Sequence, residues 1–295
     1  GGRGFWRVSM PPALRLWGGG EGTAPTIATH PGLKAVDLFQ AVADGRIKAI
    51  WIMGTNPVVS LPDADAARAA LQHCPLVVVS DAVADTDTVR LAHIKLPALT
   101  WGEKGGTVTN SERRISRQRT FLPSPGEAKP DWWAVTQVAR RLGFGALFPY
   151  ESPAAIFREH AALSGFENEG HRDFDISALA DLADGDYDVM QPAQWPLPRD
   201  ATAGVARLFG EGGFFTSDGK ARCVAVGERA PVHAVDDSFP LILNSGRIRD
   251  QWHTMTRTGK TARLTGHVSE PYVEIHPVDA LASGVSENML ARVHS

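Results

Sequence analysis

Apolar and polar positions in the first third of the chain follow two alternating periods, one typical of helices and one typical of buried strands. Apolar residues recur at helical spacing in residues 33–42, and Gly45 is placed to end this helix. KAIWIMG (48–54) and PLVVVSD (75–81) are apolar runs of strand length, and residues 63–73 between them have a helical pattern with an acidic first turn. This alternation predicts βαβ units and a parallel sheet, an α/β fold of the Rossmann-like kind.

The pattern changes after a further strand-like segment that ends at Pro97. Residues 101–114 are glycine-rich and polar, and the absence of hydrophobic periodicity predicts a loop. Two helices are predicted beyond this loop, one from Pro130 to about residue 142 and one over residues 152–163, because each begins with a proline at a position that helix starts tolerate. The aromatic residues expected in the core are Trp132, Trp133 and Phe157.

These elements divide the chain into four predicted regions: a linker or severed edge (1–31), an α/β cofactor-binding domain (32–148), a helical or irregular connector (149–204) and a β-rich domain (205–295). Residues 166–198 are polar and punctuated by proline, which favours a connector over a core. In the last region Ser217-Asp218-Gly219 predicts a hairpin turn, and a helix is expected between Pro277 and Gly284. Both ends of the sequence look cut, so we expect an internal or truncated piece of a longer protein.

Composition and charge argue against several classes of function. The 295 residues are 43% hydrophobic with a net charge of −3, which gives no electrostatic case for nucleic acid or an anionic membrane as partner. No run approaches the ~18 apolar residues of a membrane helix. A local basic cluster is better explained as a solvated loop or a phosphate-facing edge than as a nucleic-acid site; it comprises Arg113, Arg114, Arg117 and Arg119.

The two cysteines, Cys74 and Cys223, lie far apart without a CxxC or Cys/His spacing. This spacing argues against a disulfide framework, a zinc site or an iron–sulfur cluster held by this chain alone. Both residues are expected to be buried thiols, and a cytoplasmic, reducing compartment fits them.

Polar side chains follow the predicted strands of the α/β domain, where an open parallel sheet binds its ligands. Asn56 follows one strand, and Ser80 and Asp81 end the next. A carboxylate at such an edge can accept two hydrogen bonds from a guanine base. The alternative is that Asp81 only caps the segment that follows.

A second polar block lies far downstream. Ser245-Gly246-Arg247 follows an apolar strand pattern, and a glycine there allows the backbone to approach a ligand closely. Trp252-His253-Thr254 then places an aromatic face, an imidazole and a hydroxyl on consecutive residues. A single histidine or tryptophan is more often structural, so the combination rather than either residue favours a ligand. No Ser/His/Asp triad, pair of carboxylates or phosphate-binding P-loop stands out in the sequence.

The ordered set of MGTNP (53–57), VVVSD (77–81), WGEKGGTVTNSERR (101–114), PGEAKPDWW (125–133) and LILNSGRIRDQWHTMTRTGK (241–260) resembles the molybdopterin-guanine-dinucleotide oxidoreductases. This is the family of dimethyl sulfoxide reductase, formate dehydrogenase and the bacterial nitrate reductases, and the assimilatory nitrate reductases match best. The resemblance implies that the β-rich region is the first part of a double-psi barrel that binds a molybdopterin dinucleotide.

The resemblance also assigns cofactor contacts to residues of both blocks: Asn56, Ser80, Asp81, Lys104, Asp131, Ser245, Gly246, Arg247, Gln251, Trp252, His253 and Thr254. For three of these residues, all in the first domain, a structural role is the simpler alternative. Asn56 before Pro57 is more often a turn residue, Lys104 beside Glu103 is usually a solvated ion pair, and Asp131 is a carboxylate favoured at a helix start.

The function implied by the resemblance is the reduction of nitrate to nitrite at a molybdenum bis(molybdopterin guanine dinucleotide) centre. The molybdenum ligand and a 4Fe-4S cluster are expected outside this chain, which by itself should be inactive. The catalytic residues are not assigned, and an electron donor protein or domain is expected. The alternatives are a formate dehydrogenase-type molybdoenzyme, a metal-free structural relative in an electron-transfer complex, and a small nucleotide-binding module unrelated to molybdenum.

Overall fold

The structure, a computed structural model, describes residues 31–255 and 257–294. The chain divides into two compact units, Gly1–Arg222 and Cys223–Ser295, and the predicted region 1–31 lies almost wholly outside the described residues. The strands are β1 (Ala49–Met53), β2 (Leu76–Asp81), β3 (Ile94–Pro97), β4 (Gly106–Thr109), β5 (Arg114–Gln118) and β6 (Ala193–Gln194). The α-helices are α1 (Ala35–Ala43), α2 (Pro57–Ser60), α3 (Ala64–His73), α4 (Asp131–Ala139), α5 (Pro153–Gly165), α6 (Asp184–Asp188), α7 (Ala262–Thr265) and α8 (Pro277–Ala282).

The predicted parallel sheet is confirmed and consists of β1, β2 and β3 in that order. Met53 pairs with Ser80, and Asp81 pairs with Pro97, so the three strands end at nearly the same level. The α/β prediction is correct here because short apolar runs that alternate with amphipathic helices can be buried only as a sheet covered by helices.

The core of this sheet contains Leu71 of α3 and Val77 and Val79 of β2, which are at most 1% exposed. Full burial of each such side chain contributes about 1.5–3 kcal/mol. Asp63 caps α3 by accepting a hydrogen bond of 2.9 Å from the Ala66 N–H. A cap of this kind stabilises a helix by about 0.5–2 kcal/mol.

A second sheet lies where the sequence predicted only a loop. β4, β5 and β6 pair antiparallel, and the turn between β4 and β5 is closed by Asn110, whose Oδ1 accepts hydrogen bonds from the Glu112 and Arg114 N–H groups at 3.0 Å. The loop prediction for residues 101–114 is therefore wrong in part. These strands are short and contain few apolar residues, so periodicity does not reveal them.

The predicted connector contributes a core of its own. Ile176, Tyr187 and Met190 are buried together with Phe157 of α5, so the prediction that residues 166–198 are a connector rather than a core is wrong. The predicted burial of Phe157 is confirmed, whereas Trp133 is 39% exposed. Apolar residues that are far apart in a polar, irregular segment give no sequence period, although tertiary packing brings them together.

Several buried polar groups in this segment form hydrogen bonds with one another. The Asp175 carboxylate accepts hydrogen bonds from the Ser177 N–H and hydroxyl at 2.9 and 2.6 Å and from the Asn168 amide at 2.9 Å. Burial alone would raise the pKa of Asp175, but these hydrogen bonds together with Arg172 outweigh it and lower that pKa. The network fixes a segment that has little regular structure.

The β pattern of the last region does not form strands in residues 205–255 and 257–294 of this structure. A turn does form at Gly219, where the Phe214 N–H donates to the Gly219 carbonyl at 2.9 Å, and α8 forms as predicted with Gly284 after it at φ +69°. Strands need partners for their N–H and C=O groups, and the described residues supply none here. Val226 and Val232 are accordingly 90% and 95% exposed.

The predicted burial of the cysteines is confirmed for one of them and wrong for the other. Cys74 is buried, as expected, but Cys223 is exposed. No helix in the described ranges is both long and apolar enough to cross a membrane.

Gly165 provides a test of the packing between α5 and the segment that follows. A Cβ at this position would lie 2.5 Å from the Ser177 Oγ, and Ser177 is held by the Asp175 network. Gly165→Ala should therefore lower the free energy of unfolding by about 1–3 kcal/mol. Gly185→Ala is the control, since nothing lies within 4 Å of a Cβ at Gly185. Thermal unfolding of the two variants side by side gives the comparison, and equal melting temperatures would contradict this account.

Candidate cofactor-binding site

The carboxyl edge of the parallel sheet gathers the polar residues predicted from the first domain. Asn56 follows β1, and Ser80 and Asp81 end β2. Because parallel strands present their carboxyl ends on the same side, these three residues lie along one edge, where open α/β sheets bind ligands.

Asn56 has a structural role at this edge. Its Oδ1 accepts a hydrogen bond of 2.6 Å from the Thr88 hydroxyl and one of 3.3 Å from the Thr88 N–H. Thr88 is fully buried and also accepts a hydrogen bond from the Val58 N–H. The Asn56 side chain therefore ties the loop after β2 to the end of β1, and only its amide NH₂ is left for a ligand. No pattern in the sequence indicates this role for Thr88.

Ser80 and Asp81 differ in what they offer. Ser80 is 2% exposed, and its Oγ accepts a hydrogen bond of 2.8 Å from the Trp51 indole. Asp81 is half-buried, and its Oδ1 accepts a hydrogen bond of 2.9 Å from the Val83 N–H. This local turn holds the carboxylate at the sheet edge and leaves its other oxygen without a hydrogen bond to the described residues.

Lys104 and Asp131 are brought together by the fold. The Lys104 Nζ lies 3.6 Å from the Asp131 Oδ2, whereas Glu103 caps its own turn by accepting a hydrogen bond of 2.7 Å from the Thr100 N–H. The alternative that Lys104 pairs with Glu103 is therefore wrong. The other oxygen of Asp131, Oδ1, is buried and has no hydrogen-bond partner in the described part of the chain.

A cavity of about 100 Å³ opens beside Asp131. Its lining residues are Ser80, Leu96, Pro97, Ala98, Glu127, Lys129, Asp131, Trp133 and Ala134. The Lys129 ammonium lies 5.9 Å from the centre of the Trp133 ring. The site prediction did not include Glu127, Lys129 and Trp133. All three belong to the PGEAKPDWW segment, which already carried part of the family resemblance and could have indicated them.

The arginine cluster after this loop is largely engaged within the protein. Arg113 donates to the main-chain oxygens of Trp195, Val205 and Ala206. Arg117 donates to the Gly106 carbonyl at 3.0 Å and lies 4.4 Å from the centre of the Tyr187 ring. Arg119 donates to the Asp188 carbonyl at 2.9 Å. These three side chains connect β5 and its flanks to residues 187–206. The interpretation as a solvated loop or a phosphate-facing edge is therefore wrong for Arg113 and Arg117, whereas Arg119 remains exposed.

The downstream block lies in the second unit. Ser245, Gly246 and Arg247 are exposed in an irregular segment rather than after a strand. Gln251 is buried, whereas Trp252, which is 44% exposed, and His253 face solvent with their ring centres 5.2 Å apart. Beside this block, the hydrogen bond from Arg249 and the nearby His267 lower the pKa of Asp250.

The backbone of the downstream block is constrained. Thr254 and Met255 have φ angles of +64° and +57°, a conformation rare for residues with side chains. The Arg257 guanidinium lies 5.3 Å from the centre of the Trp252 ring. An aromatic ring, an imidazole and a guanidinium are thereby presented on one tight turn.

Residues 14–141 match the family described as molybdopterin oxidoreductase, and residues 241–295 match the molydopterin dinucleotide binding domain. The chain belongs to the molybdopterin oxidoreductase family. The two matched segments contain the first and second polar blocks, respectively, so the family resemblance read from the motifs is confirmed.

Relatives of this chain are considerably longer. A nitrate reductase from Klebsiella oxytoca is 56% identical over 282 residues, which cover 95% of this chain and 31% of that protein. A nitrate reductase from Shewanella frigidimarina is 48% identical over 277 residues, covering 92% of this chain and 29% of that protein. The chain therefore spans about a third of the length of these curated relatives.

A solved structure shares the fold. Acetylene hydratase from Pelobacter acetylenicus superposes with a TM-score of 0.62 at 20% identity, covering 85% of this chain and 34% of that one. At this level of identity the similarity concerns the fold alone.

The residues present suit a molybdopterin cofactor. The buried Asp131 Oδ1 is an acceptor and the buried Gln251 Nε2 is a donor, and neither has a partner among the described residues. Buried polar atoms without partners are costly, about 1–3 kcal/mol each, unless a ligand satisfies them. The cofactor offers ring N–H groups to the first atom and oxygens to the second. The individual cofactor contacts stay predictions.

Asn56 allows the structural and binding roles to be separated. Asn56→Ala removes the acceptor of two hydrogen bonds from buried Thr88 and should lower the free energy of unfolding by about 1–3 kcal/mol. Asn56→Asp keeps the acceptor oxygens and removes only the amide NH₂, so it should keep the stability. Denaturant unfolding checks both variants, and equal destabilisation by the two would contradict the role assigned to the Thr88 contacts.

Proposed function

We propose that this chain is part of a molybdenum oxidoreductase that reduces nitrate to nitrite, and that it holds a bis(molybdopterin guanine dinucleotide) cofactor. The observation that supports nitrate as substrate is the 56% identity to a nitrate reductase over 95% of the chain. When bound, the molybdenum cofactor would supply the two-electron oxygen-atom transfer that converts nitrate to nitrite. The chain itself supplies binding and orientation of the cofactor.

The first polar block would bind one end of a dinucleotide. A guanine base presents neighbouring N–H donors, and the free oxygens of Asp81 and Asp131 are the acceptors that match them. Lys104 beside Asp131 adds a positive charge for a phosphate. Ser80 would contribute through its position at the strand end, because its hydroxyl already accepts the Trp51 indole N–H.

The second polar block would contact the cofactor through flat groups and donors. Trp252 and His253 offer planar faces, and Arg247 offers a guanidinium that can donate two parallel hydrogen bonds to a phosphate. Ser245, Gly246 and Thr254 would add close backbone approach and hydroxyl contacts. The exposure of Trp252 and His253 supports a ligand-facing role over a place in the core.

The cofactor-binding residues named above would not complete the enzyme. The molybdenum ligand, a 4Fe-4S cluster and an electron donor would be supplied by further parts of the enzyme or by a partner. We propose a cytoplasmic location and no nucleic-acid partner.

A formate dehydrogenase-type enzyme and a metal-free relative are the alternatives. The buried Asp131 Oδ1 and the buried Gln251 Nε2 each disfavour the metal-free alternative, because a relative without cofactor would leave both atoms without a partner among the described residues. Assays of the full-length enzyme with nitrate and with formate distinguish the two catalytic functions.

Asp81→Ala in the full-length enzyme should remove a charge-assisted hydrogen bond to guanine worth about 1.5–3 kcal/mol. The pterin and molybdenum contents of the purified protein should then fall. Asp65→Ala is the matched control, since it removes an exposed carboxylate from α3. Unchanged molybdenum content and nitrate turnover in Asp81→Ala would contradict the assignment of Asp81 as a guanine contact.

The chain expressed without any other segment should hold no molybdenum and show no nitrate reduction. It spans only about a third of the length of its relatives, and it would form only part of the walls of the cofactor site. Elemental analysis and a viologen-driven nitrate assay test this expectation. Stoichiometric metal or clear turnover would show that these residues suffice.

A further inference from the structure

Gln251 is unusual in the second unit. It is 5% exposed, and it is the one buried residue among the described residues 223–255 and 257–294. A polar side chain is therefore buried where the surrounding valines and leucines are not. Local hydrogen bonds, rather than apolar packing, must hold it there.

Those hydrogen bonds converge on Thr258, which lies outside the residues assigned above to the cofactor. The Trp252 N–H donates to the Thr258 Oγ1 at 2.9 Å, and the Thr258 hydroxyl donates to the Gln251 Oε1 at 2.5 Å. Because the hydroxyl proton is directed at Oε1, the Gln251 amide is oriented with its Nε2 on the other side. That Nε2 is buried and has no partner within the described ranges.

The same contacts fix the turn that carries the exposed aromatic groups. The Thr258 hydroxyl accepts the hydrogen bond of the Trp252 N–H directly. The centre of the Trp252 ring lies 5.2 Å from the centre of the His253 ring and 5.3 Å from the Arg257 guanidinium. One hydroxyl thus fixes both the direction of the Gln251 amide and the backbone that presents the Trp252 ring.

We propose that Thr258 is a positioning residue that directs the Gln251 Nε2 toward an acceptor atom of the bound dinucleotide, a phosphate or carbonyl oxygen. This inference rests on the proposed function. Thr258 itself does not contact the cofactor; it sets the orientation of an amide that does. The amide donates a hydrogen bond to a ligand oxygen, and its Oε1 stays occupied by the threonine hydroxyl.

The test uses Thr258→Val and Thr258→Ser in the full-length enzyme. Valine keeps the branched shape but removes the hydroxyl, whereas serine keeps the hydroxyl. Pterin content of the purified protein and the rate of pterin loss after dilution are measured by the fluorescence of the oxidised pterin. Loss of a hydrogen bond of ordinary strength predicts about tenfold faster pterin loss from Thr258→Val and a rate within about twofold of the unchanged enzyme for Thr258→Ser.

Two further variants make the assignment specific. Thr265→Val is the control, because the Thr265 hydroxyl bonds only to carbonyls of its own helix segment, at 2.9 and 3.3 Å. Gln251→Glu keeps an acceptor for Thr258 and replaces the Nε2 donor, so it should lose pterin as Thr258→Val does. The double variant should be little worse than either single variant, because both changes remove the same contact.

The possible outcomes distinguish failure of the role inferred for Thr258 from failure of the proposed function. Pterin in the unchanged enzyme with fast loss only from Thr258→Val and Gln251→Glu supports the inference. Pterin in the unchanged enzyme with equal retention by Thr258→Val and Thr258→Ser overturns it, including when Thr258→Val merely lowers the melting temperature. An unchanged enzyme that contains no pterin overturns the proposed function and this inference with it.

Discussion

The parallel hydrogen-bond ladder of β1, β2 and β3 is the constraint on which the first unit depends. A strand buried on both faces must have all of its N–H and C=O groups paired, and this is possible only when neighbouring strands keep a fixed register. The register that pairs Met53 with Ser80 and Asp81 with Pro97 places the ends of the three strands together. Polar residues scattered through the sequence thereby come to lie along one edge, and the loop that carries Lys104 reaches Asp131 at the same edge.

Hydrogen-bond satisfaction distinguishes structural side chains from ligand-facing ones at that edge. Asn56 and Ser80 are engaged with Thr88 and Trp51, so their burial needs no ligand. Asp131 is different, because one oxygen faces Lys104 while the other is buried without a partner among the described residues. The same criterion applies to the downstream block, where one polar atom of Gln251 is hydrogen-bonded and the other has no partner in the described part of the chain. Chemically similar residues of one motif thus divide into a set that is engaged within the protein and a set that we propose contacts the ligand.

The second unit shows the limit of local patterning. Its alternating apolar residues are typical of strands, yet a strand exists only when another strand lies beside it, and residues such as Val226 remain exposed. Its helix α8 forms because a helix satisfies its own backbone within one segment, with Pro277 at the start and Gly284 after the end. In this unit local signals are thus sufficient for the helix and insufficient for the strands.

By itself the sequence determined the elements whose cause is local. The helices α1 and α3, the apolar strands β1 and β2, the start of α5 at Pro153 and the family resemblance all follow from periodicity, capping residues and motif order. Tertiary structure alone decided the β4–β5–β6 sheet, the core around Ile176 and Tyr187, and the partners of Lys104 and Asn56. The physical reason is that these contacts join segments up to about eighty residues apart, as when Arg113 reaches Trp195. Such a contact depends on where two distant segments are held in space, and no neighbouring residue in the sequence records that position.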